Sequence, residues 1–368
     1  MFLTRLSLVN FKNFANAEAD FCPKINCFVG DNGVGKTNML DAIHFLSMCK
    51  SGLQIPDTQC VKHDEPFFVL DGVYSKDTAD DKIYCGFKHG AGKIIKKNGK
   101  EYDKIADHIG QYPLVQISPA DNNLVQESGD ERRRFMNMVL SQIDRSYLNA
   151  LQKYNKLLAN RNKLLKSDFS SRSSYEVLDV IDFQMDEVGT YIYEARQKLV
   201  NNLQPIFDSY YASISESKEV ASIRYVSHLS NGRMKLLLES SYEKDRILQH
   251  TSVGIHRDDI DLQLNGYSAK KMGSQGQQKT LLISLKLAQF ELMRQASGVK
   301  PILLLDDIFD KLDPHRVSKL IELVAHDQFG QIFITDSNKH RLEDALGMLL
   351  DEASLFTVEK STLTKKLI

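Results

Sequence analysis

No apolar run in the 368 residues approaches the ~20 that a bilayer-spanning helix needs, so no membrane partner is expected. The opening Met1–Asn10 stretch (MFLTRLSLVN) alternates like a strand and lacks the apolar core of a secretory leader. Cysteine is sparse: Cys22, Cys27, Cys49, Cys60 and Cys85 are odd in number, and no pair has C-x-x-C spacing. That pattern favours buried reduced thiols in a cytoplasmic protein over a disulfide framework and argues against metal ligation. Excess charge is missing too, since 47 Lys plus Arg face 48 Asp plus Glu for a net −1. A chain that gripped a phosphate backbone by bulk charge would be basic. Nucleic-acid binding must therefore come from local patches, or from a surface assembled by pairing subunits.

What is present begins with Gly30-Asp31-Asn32-Gly33-Val34-Gly35-Lys36-Thr37, which fits G-x-x-x-x-G-K-[ST]. The preceding Ile25–Val29 reads as a short buried strand and the following Asn38–Met48 as a helix, the context a phosphate-cradling P-loop requires. Glycine lets the backbone surround phosphate oxygens with N–H groups, and the helix start adds its positive dipole end. Lys36 is expected on the β- and γ-phosphates of ATP and the Thr37 hydroxyl on Mg2+. Much later, Pro301–Asp307 (PILLLDD) reads as a strand buried on both faces that ends in two carboxylates. Asp306 is placed to hold Mg2+, and Asp307 to orient or deprotonate an attacking water.

Between these landmarks lie β-type runs at 67–74, 82–87, 93–97 and 100–105, with Asn98-Gly99 as a hairpin turn. PLVQIS (113–118) reads as a further strand. Ser118-Pro119 and the Ser128–Glu131 capping box then open a helical stretch to about Tyr211. Breaks are expected at 170–174 and at Pro205, giving about three helices. Leu151, Tyr154, Leu158 and Leu165 form an apolar stripe, while Lys153, Lys156, Arg161 and Lys163 are assigned to the remaining faces as a DNA-contacting candidate. Strands are expected to return at 220–226, 234–239, 259–266, 331–335 and 355–358. The predicted fold is α/β, a P-loop ATPase head with a mixed sheet and an antiparallel β subdomain. Its boundaries are 1–118 plus 219–368 for a discontinuous head and 119–218 for an inserted helical lobe.

The order of P-loop, Ser274-x-Gly276-Gln277, hhhhDD strand and Lys311-Leu312-Asp313 resembles the ABC-type ATPase heads that act on DNA. The finer pattern is similar to the RecF family of bacterial recombination-repair proteins, across essentially the whole chain. It is carried by Leu8–Phe14 (LVNFKNF), Gly33–Ile43, Lys50-Ser51, Ile117-Ser118-Pro119, Glu131–Phe135 (ERRRF), Gly254–Asp259 (GIHRDD) and Asn265-Gly266. The resemblance implies an ATP-dependent homodimer with Ser274, Gly276 and Gln277 of one copy closing the nucleotide site of the other, and with Asp313 at the seam. It also implies binding to single- and double-stranded DNA at gap junctions. The implied pathway has RecO and RecR placing RecA on that DNA, in repair, replication restart and the SOS response, with only weak DNA-stimulated ATPase activity. By position in the family pattern, Gln116 is a Mg2+-sensing residue, while Lys12 and Asn13 meet the nucleotide. Two departures point to slow hydrolysis: Asp307 stands where many relatives carry Glu, and Thr335-Asp336 where a switch histidine is usual. An ABC transporter subunit is the alternative reading, opposed by the Asn10–Phe14 stretch and the helical insert. An SMC-like structural ATPase is another, opposed by the lack of a long coiled coil.

Overall fold

Two six-stranded sheets and one three-stranded sheet organise the chain in this computed structural model. It describes residues 1–76, 79–166, 172–215, 219–309, 314–325, 328–347, 352–359 and 361–366. Residues group into two units. One comprises Met1–Asn122, Tyr210–Lys218 and Ser274–Ile368; the other comprises Asn123–Ser209 and Glu219–Gly273.

In the first unit an antiparallel sheet runs in the order Phe14–Asp20, Phe2–Phe11, Phe67–Ser75, Asp81–Lys88, Gly92–Lys97, Lys100–Glu101. Its alternating strands bury one face, as in the Leu3, Leu6, Leu8 row, and leave the other to solvent. Asn98 and Gly99 both have positive φ, the two-residue turn the sequence announces. The second sheet runs Thr362–Lys366, Ala353–Glu359, Ile25–Val29, Ile332–Asp336, Ile302–Asp306, Leu114–Ile117, parallel except for its terminal hairpin. Three of its central strands (INCFV, ILLLD and IFITD) are buried at every position, which their β-branched, leucine-rich sequences require. The helix Lys36–Met48 shares one core with both sheets, where Phe45 meets Phe11 and Phe68 edge to face.

The second unit contains the helices Gly129–Ile143, Arg145–Lys166 and Met234–Leu248, most of the helix Arg172–Ser215, and the small sheet Tyr267–Ser268, Asp259–Leu264, Ala221–Val226. Residues 219–273 were assigned to the head on sequence, but they group with these helices. Their strands hydrogen-bond to one another, and among the described residues none joins either six-stranded sheet.

Three local expectations change. Pro205 lies inside a continuous helix from Arg172 to Ser215. It forfeits one backbone hydrogen bond, whereas Leu203 and Phe207 on either side are fully buried and hold the segment. The expected break at 170–174 falls partly outside the described residues, and the helix already starts at Arg172. The run at 234–239 opens a helix rather than forming a strand: Met234, Leu238, Ser241 and Asp245 are its buried positions, spaced by helical turns. Ser128 is an N-cap whose side chain caps no backbone N–H, because its hydroxyl turns to the Asp130 carboxylate while Glu131 pairs with Arg134.

The correction with most consequence concerns Arg161. On Arg145–Lys166 the buried positions are Tyr147, Tyr154, Leu157, Arg161 and Leu165, so Arg161 belongs to the inward stripe and not to a DNA-facing surface. Its guanidinium is fully buried, donates to Asp182 (2.7 Å) and Asp245 (2.7 Å), and reaches the Thr251 hydroxyl at 3.0 Å. Removing it leaves two carboxylates buried without their counter-charge. Arg161→Ala is therefore expected to cost about 3–5 kcal/mol in denaturant unfolding. Lys163→Ala on the exposed face should stay within about 0.5 kcal/mol. Equal, small effects from both would contradict this placement.

Candidate functional site: the nucleotide cradle

The helix Lys36–Met48 begins without a side-chain cap and without an acid in its first turn, so its leading N–H groups are open to an anion. Before it, Gly35 adopts φ 115, and a Cβ there would lie 2.5 Å from Asn13 Nδ2, so only glycine fits. Asn13 is the brace of this turn. It donates to the Val34 carbonyl (2.9 Å) and to Ser361 Oγ (2.9 Å), and accepts from Asn38 Nδ2 (2.7 Å). Its polar atoms are thus committed to the loop backbone and its neighbours, shaping the cradle from behind.

Lys12, expected at the nucleotide, is instead buried and ion-paired to Asp41 on the P-loop helix at 2.5 Å. Asp41 also accepts from Ser51 Oγ (2.8 Å) and from the Gly52 N–H (2.6 Å). The Lys50-Ser51 motif thereby acquires a role: it ties the end of this helix to the same carboxylate. Gln116 is likewise set back. Its strand partner is Leu304, two positions short of Asp306, and its Oε1 lies against Gly52, away from the cradle lining.

Lys36 is nearly buried, and its ammonium donates to the carbonyls of Gly30 (2.7 Å) and Asp31 (2.8 Å). Burial pulls its pKa down, opposed by Asp307 and Asp306 nearby. Thr37 Oγ1 donates to Asp306 Oδ1 at 3.0 Å, so the two expected metal-side groups meet across 269 residues of sequence. Burial also raises the Asp306 pKa, countered by the hydroxyls of Thr335 and Thr37. Asp307 sits at φ 47 with Oδ1 buried and unpartnered, a carboxylate oxygen available to a ligand. Asp336, one position past Thr335, is fully buried and gripped by Arg341 at 2.7 and 3.0 Å.

Asn32, Gly33, Gly35, Lys36, Thr37, Asn38, Asp306, Asp307 and Thr335 line one cavity of about 170 Å3. The P-loop backbone, the Lys36 ammonium and the carboxylates in this lining are groups suited to phosphates and their counter-ion. Hard oxygen donors from one hydroxyl and one carboxylate suit Mg2+, which completes its shell with phosphate oxygens and water. Among the described residues no cluster of three or more His, Cys, Asp or Glu offers a metal cage of its own.

Ser274, Gly276 and Gln277 do not line this cavity. Ser274 caps its own helix, Gln275–Ser297: its hydroxyl accepts from Gln277 N (3.3 Å), and Gln277 Oε1 accepts from Ser274 N (2.6 Å). The S-x-x-Q spacing was legible as a capping box, a signal passed over in favour of the trans-contact reading. Gly276 faces the Arg316 guanidinium, which donates to Thr280 Oγ1 at 3.0 Å. Asp313, Leu312 and Lys311 lie outside the described residues.

The ERRRF and HRDD segments meet in the other unit. Arg132 grips Asp259 with two bonds (2.5 and 3.0 Å), and Arg133 donates to the Asp258 carbonyl (2.7 Å). Buried Arg196 donates to Asp258 Oδ2 (2.6 Å) and the Ile255 carbonyl (2.6 Å), and Tyr225 donates to the same carboxylate. The two motifs are halves of one charge network centred on buried Asp258.

Sequence comparison places these features in a family. An AAA domain family model matches residues 5–206. The DNA replication and repair protein RecF of Parabacteroides distasonis is 47% identical over 360 residues, covering 98% of each chain. That of Phocaeicola vulgatus is 44% identical over 368 residues, covering 100% of this chain and 99% of its own. A solved structure of the recombination mediator protein RecF with ATP, in the RecFOR pathway, superposes with a TM-score of 0.88 at 31% identity, covering 100% of this chain and 98% of its own. An Smc head domain from Pyrococcus furiosus, bound to the C-terminal domain of ScpA, reaches a TM-score of 0.56 at 15% identity and covers 99% and 96%, a likeness of fold alone. With near-half identity over its full length, and with the P-loop and acid strand assembled as described, the chain belongs to the RecF family of DNA replication and repair proteins.

Proposed function

We propose that the chain is an ATP-gated DNA-binding protein of recombinational repair and replication restart. In this reading it works in the cytoplasm and pairs as an ATP-dependent homodimer on gapped DNA. There it acts with RecO and RecR to load RecA. The observation that carries the ATP part is the Thr37–Asp306 contact in the lining of the P-loop cradle. In the proposed pairing this cradle is half a site. Ser274, Gly276 and Gln277 of a second copy are the proposed other half, with Asp313 at the seam, in a two-fold pairing.

In this reading Lys36 and the P-loop N–H groups hold the phosphates, and Thr37 with Asp306 would hold Mg2+. When bound, that ion draws off charge from the β- and γ-phosphates. Asp307 orients the attacking water and takes its proton. The water oxygen bonds to the γ-phosphorus while the bond to the β–γ bridging oxygen breaks, releasing ADP and inorganic phosphate. Asp is one methylene shorter than Glu, which sets the base back and slows this step. Slow turnover suits a timer for pairing better than a motor. The full-length likeness to RecF proteins favours this reading over a transporter subunit.

Lys36→Ala is expected to weaken ATP binding about tenfold or more, measured by equilibrium titration. Asp307→Asn should lower turnover by roughly 10²–10⁴ while prolonging ATP-bound dimers on DNA. A monomer at saturating ATP in light scattering of Asp307→Asn would defeat the composite-site reading.

For DNA, the exposed Lys153, Lys156 and Lys163 remain the proposed contacts after Arg161 is withdrawn. Lys153 has only a loose, solvent-exposed pairing with Glu187 at 3.6 Å, worth little. Reversing all three to Glu should weaken DNA binding and flatten the slope of log affinity against log salt by about three. An unchanged slope would remove this helix from the DNA surface.

A further inference from the structure

The strand Ile332–Asp336 lies between the P-loop strand Ile25–Val29 and the acid strand Ile302–Asp306, paired in parallel with both. Its register sets Thr335 beside Asp306 on one side and Phe28 on the other, at the strand ends where parallel sheets bind ligands. Thr335 is fully buried, yet it is part of the cradle lining. Its hydroxyl donates to Asp306 Oδ1 at 2.7 Å and accepts the backbone N–H of Asp307 at 2.9 Å.

We propose that Thr335 is a positioning residue for Mg2+ and for ATP hydrolysis, a single hydroxyl that couples the metal-side carboxylate of Asp306 to the backbone of Asp307. The inference rests on the ATPase reading above. A hydroxyl has one proton, and here it goes to Asp306; the lone pairs are then what Asp307 N–H finds. The two bonds therefore orient one another, and both have a charged or strained partner. Asp306 Oδ1 takes a second donor from Thr37, which leaves Oδ2 as the oxygen that neither hydroxyl occupies. Asp307 needs the help because φ 47 is a left-handed backbone conformation that non-glycine residues adopt only under strain. Its N–H bond to Thr335 holds that turn, and the turn sets where the unpartnered Oδ1 sits.

Thr335→Val removes the hydroxyl and keeps the shape; Thr335→Ser keeps the hydroxyl. Three readouts distinguish positioning from plain packing: ATP turnover, the Mg2+ concentration needed for half-maximal binding of a fluorescent ATP analogue, and the melting temperature. Thr335→Val is expected to lower kcat about tenfold and raise the Mg2+ requirement, with metal-free nucleotide affinity unchanged. Thr335→Ser should restore both. Should the valine variant fail to fold, Thr335→Ala against Thr335→Ser makes the same comparison. Wild-type turnover and Mg2+ requirement in a folded hydroxyl-less variant would overturn the inference. A wild-type chain that binds Mg2+-ATP but never hydrolyses it contradicts the ATPase reading instead, and the Mg2+ requirement alone then decides on Thr335.

Discussion

Three parallel strands ending at the same level are the constraint from which the site follows. The P-loop, Thr335 and the Asp306-Asp307 pair are far apart in sequence and are brought together by register alone. Because the three strands are buried on both faces, a slip would expose apolar side chains, each worth about 1.5–3 kcal/mol when buried. Core burial and site geometry are thus one commitment. The hydroxyl–carboxylate contacts of Thr37 and Thr335 on Asp306 are its visible result.

Behind the cradle, charge is used for fixing position. Lys12 on Asp41, and Asn13 on the loop carbonyl, place two adjacent residues on the back of the helix and on the turn that precedes it. In the other unit, Arg161 and Arg196 do similar work on a larger scale, Arg161 buried between Asp182 and Asp245 and Arg196 buried on Asp258. Buried pairs of this kind add little net stability relative to apolar packing. They penalise every arrangement that separates them, which suits residues drawn from distant segments.

Much of this was legible beforehand, for physical reasons. The P-loop demands particular residue types at fixed spacing, and the apolar run before paired acids, read together with the P-loop, marks the buried strand Ile302–Asp306. Arg161 was misread because charge was taken as a sign of exposure, although it stands two turns after Tyr154 and so on the same stripe. The run at 234–239 was too short for apolar content to separate helix from strand. The partners of Lys12 and Gln116, Asp41 and Gly52, lie far off in sequence and are met only through the fold. Thr335 was noted merely as the lack of a histidine. Its partner Asp306 is 29 residues away, and strand register cannot be read from one sequence.

In the proposed reading, a chain with no net positive charge relies on nucleotide-driven pairing to hold DNA. The most direct test is a gel-shift titration of the unmodified chain on a gapped duplex, with ATP, with ADP and without nucleotide. Stable retention with ATP alone is the predicted result. Equal retention under all three conditions would contradict the account.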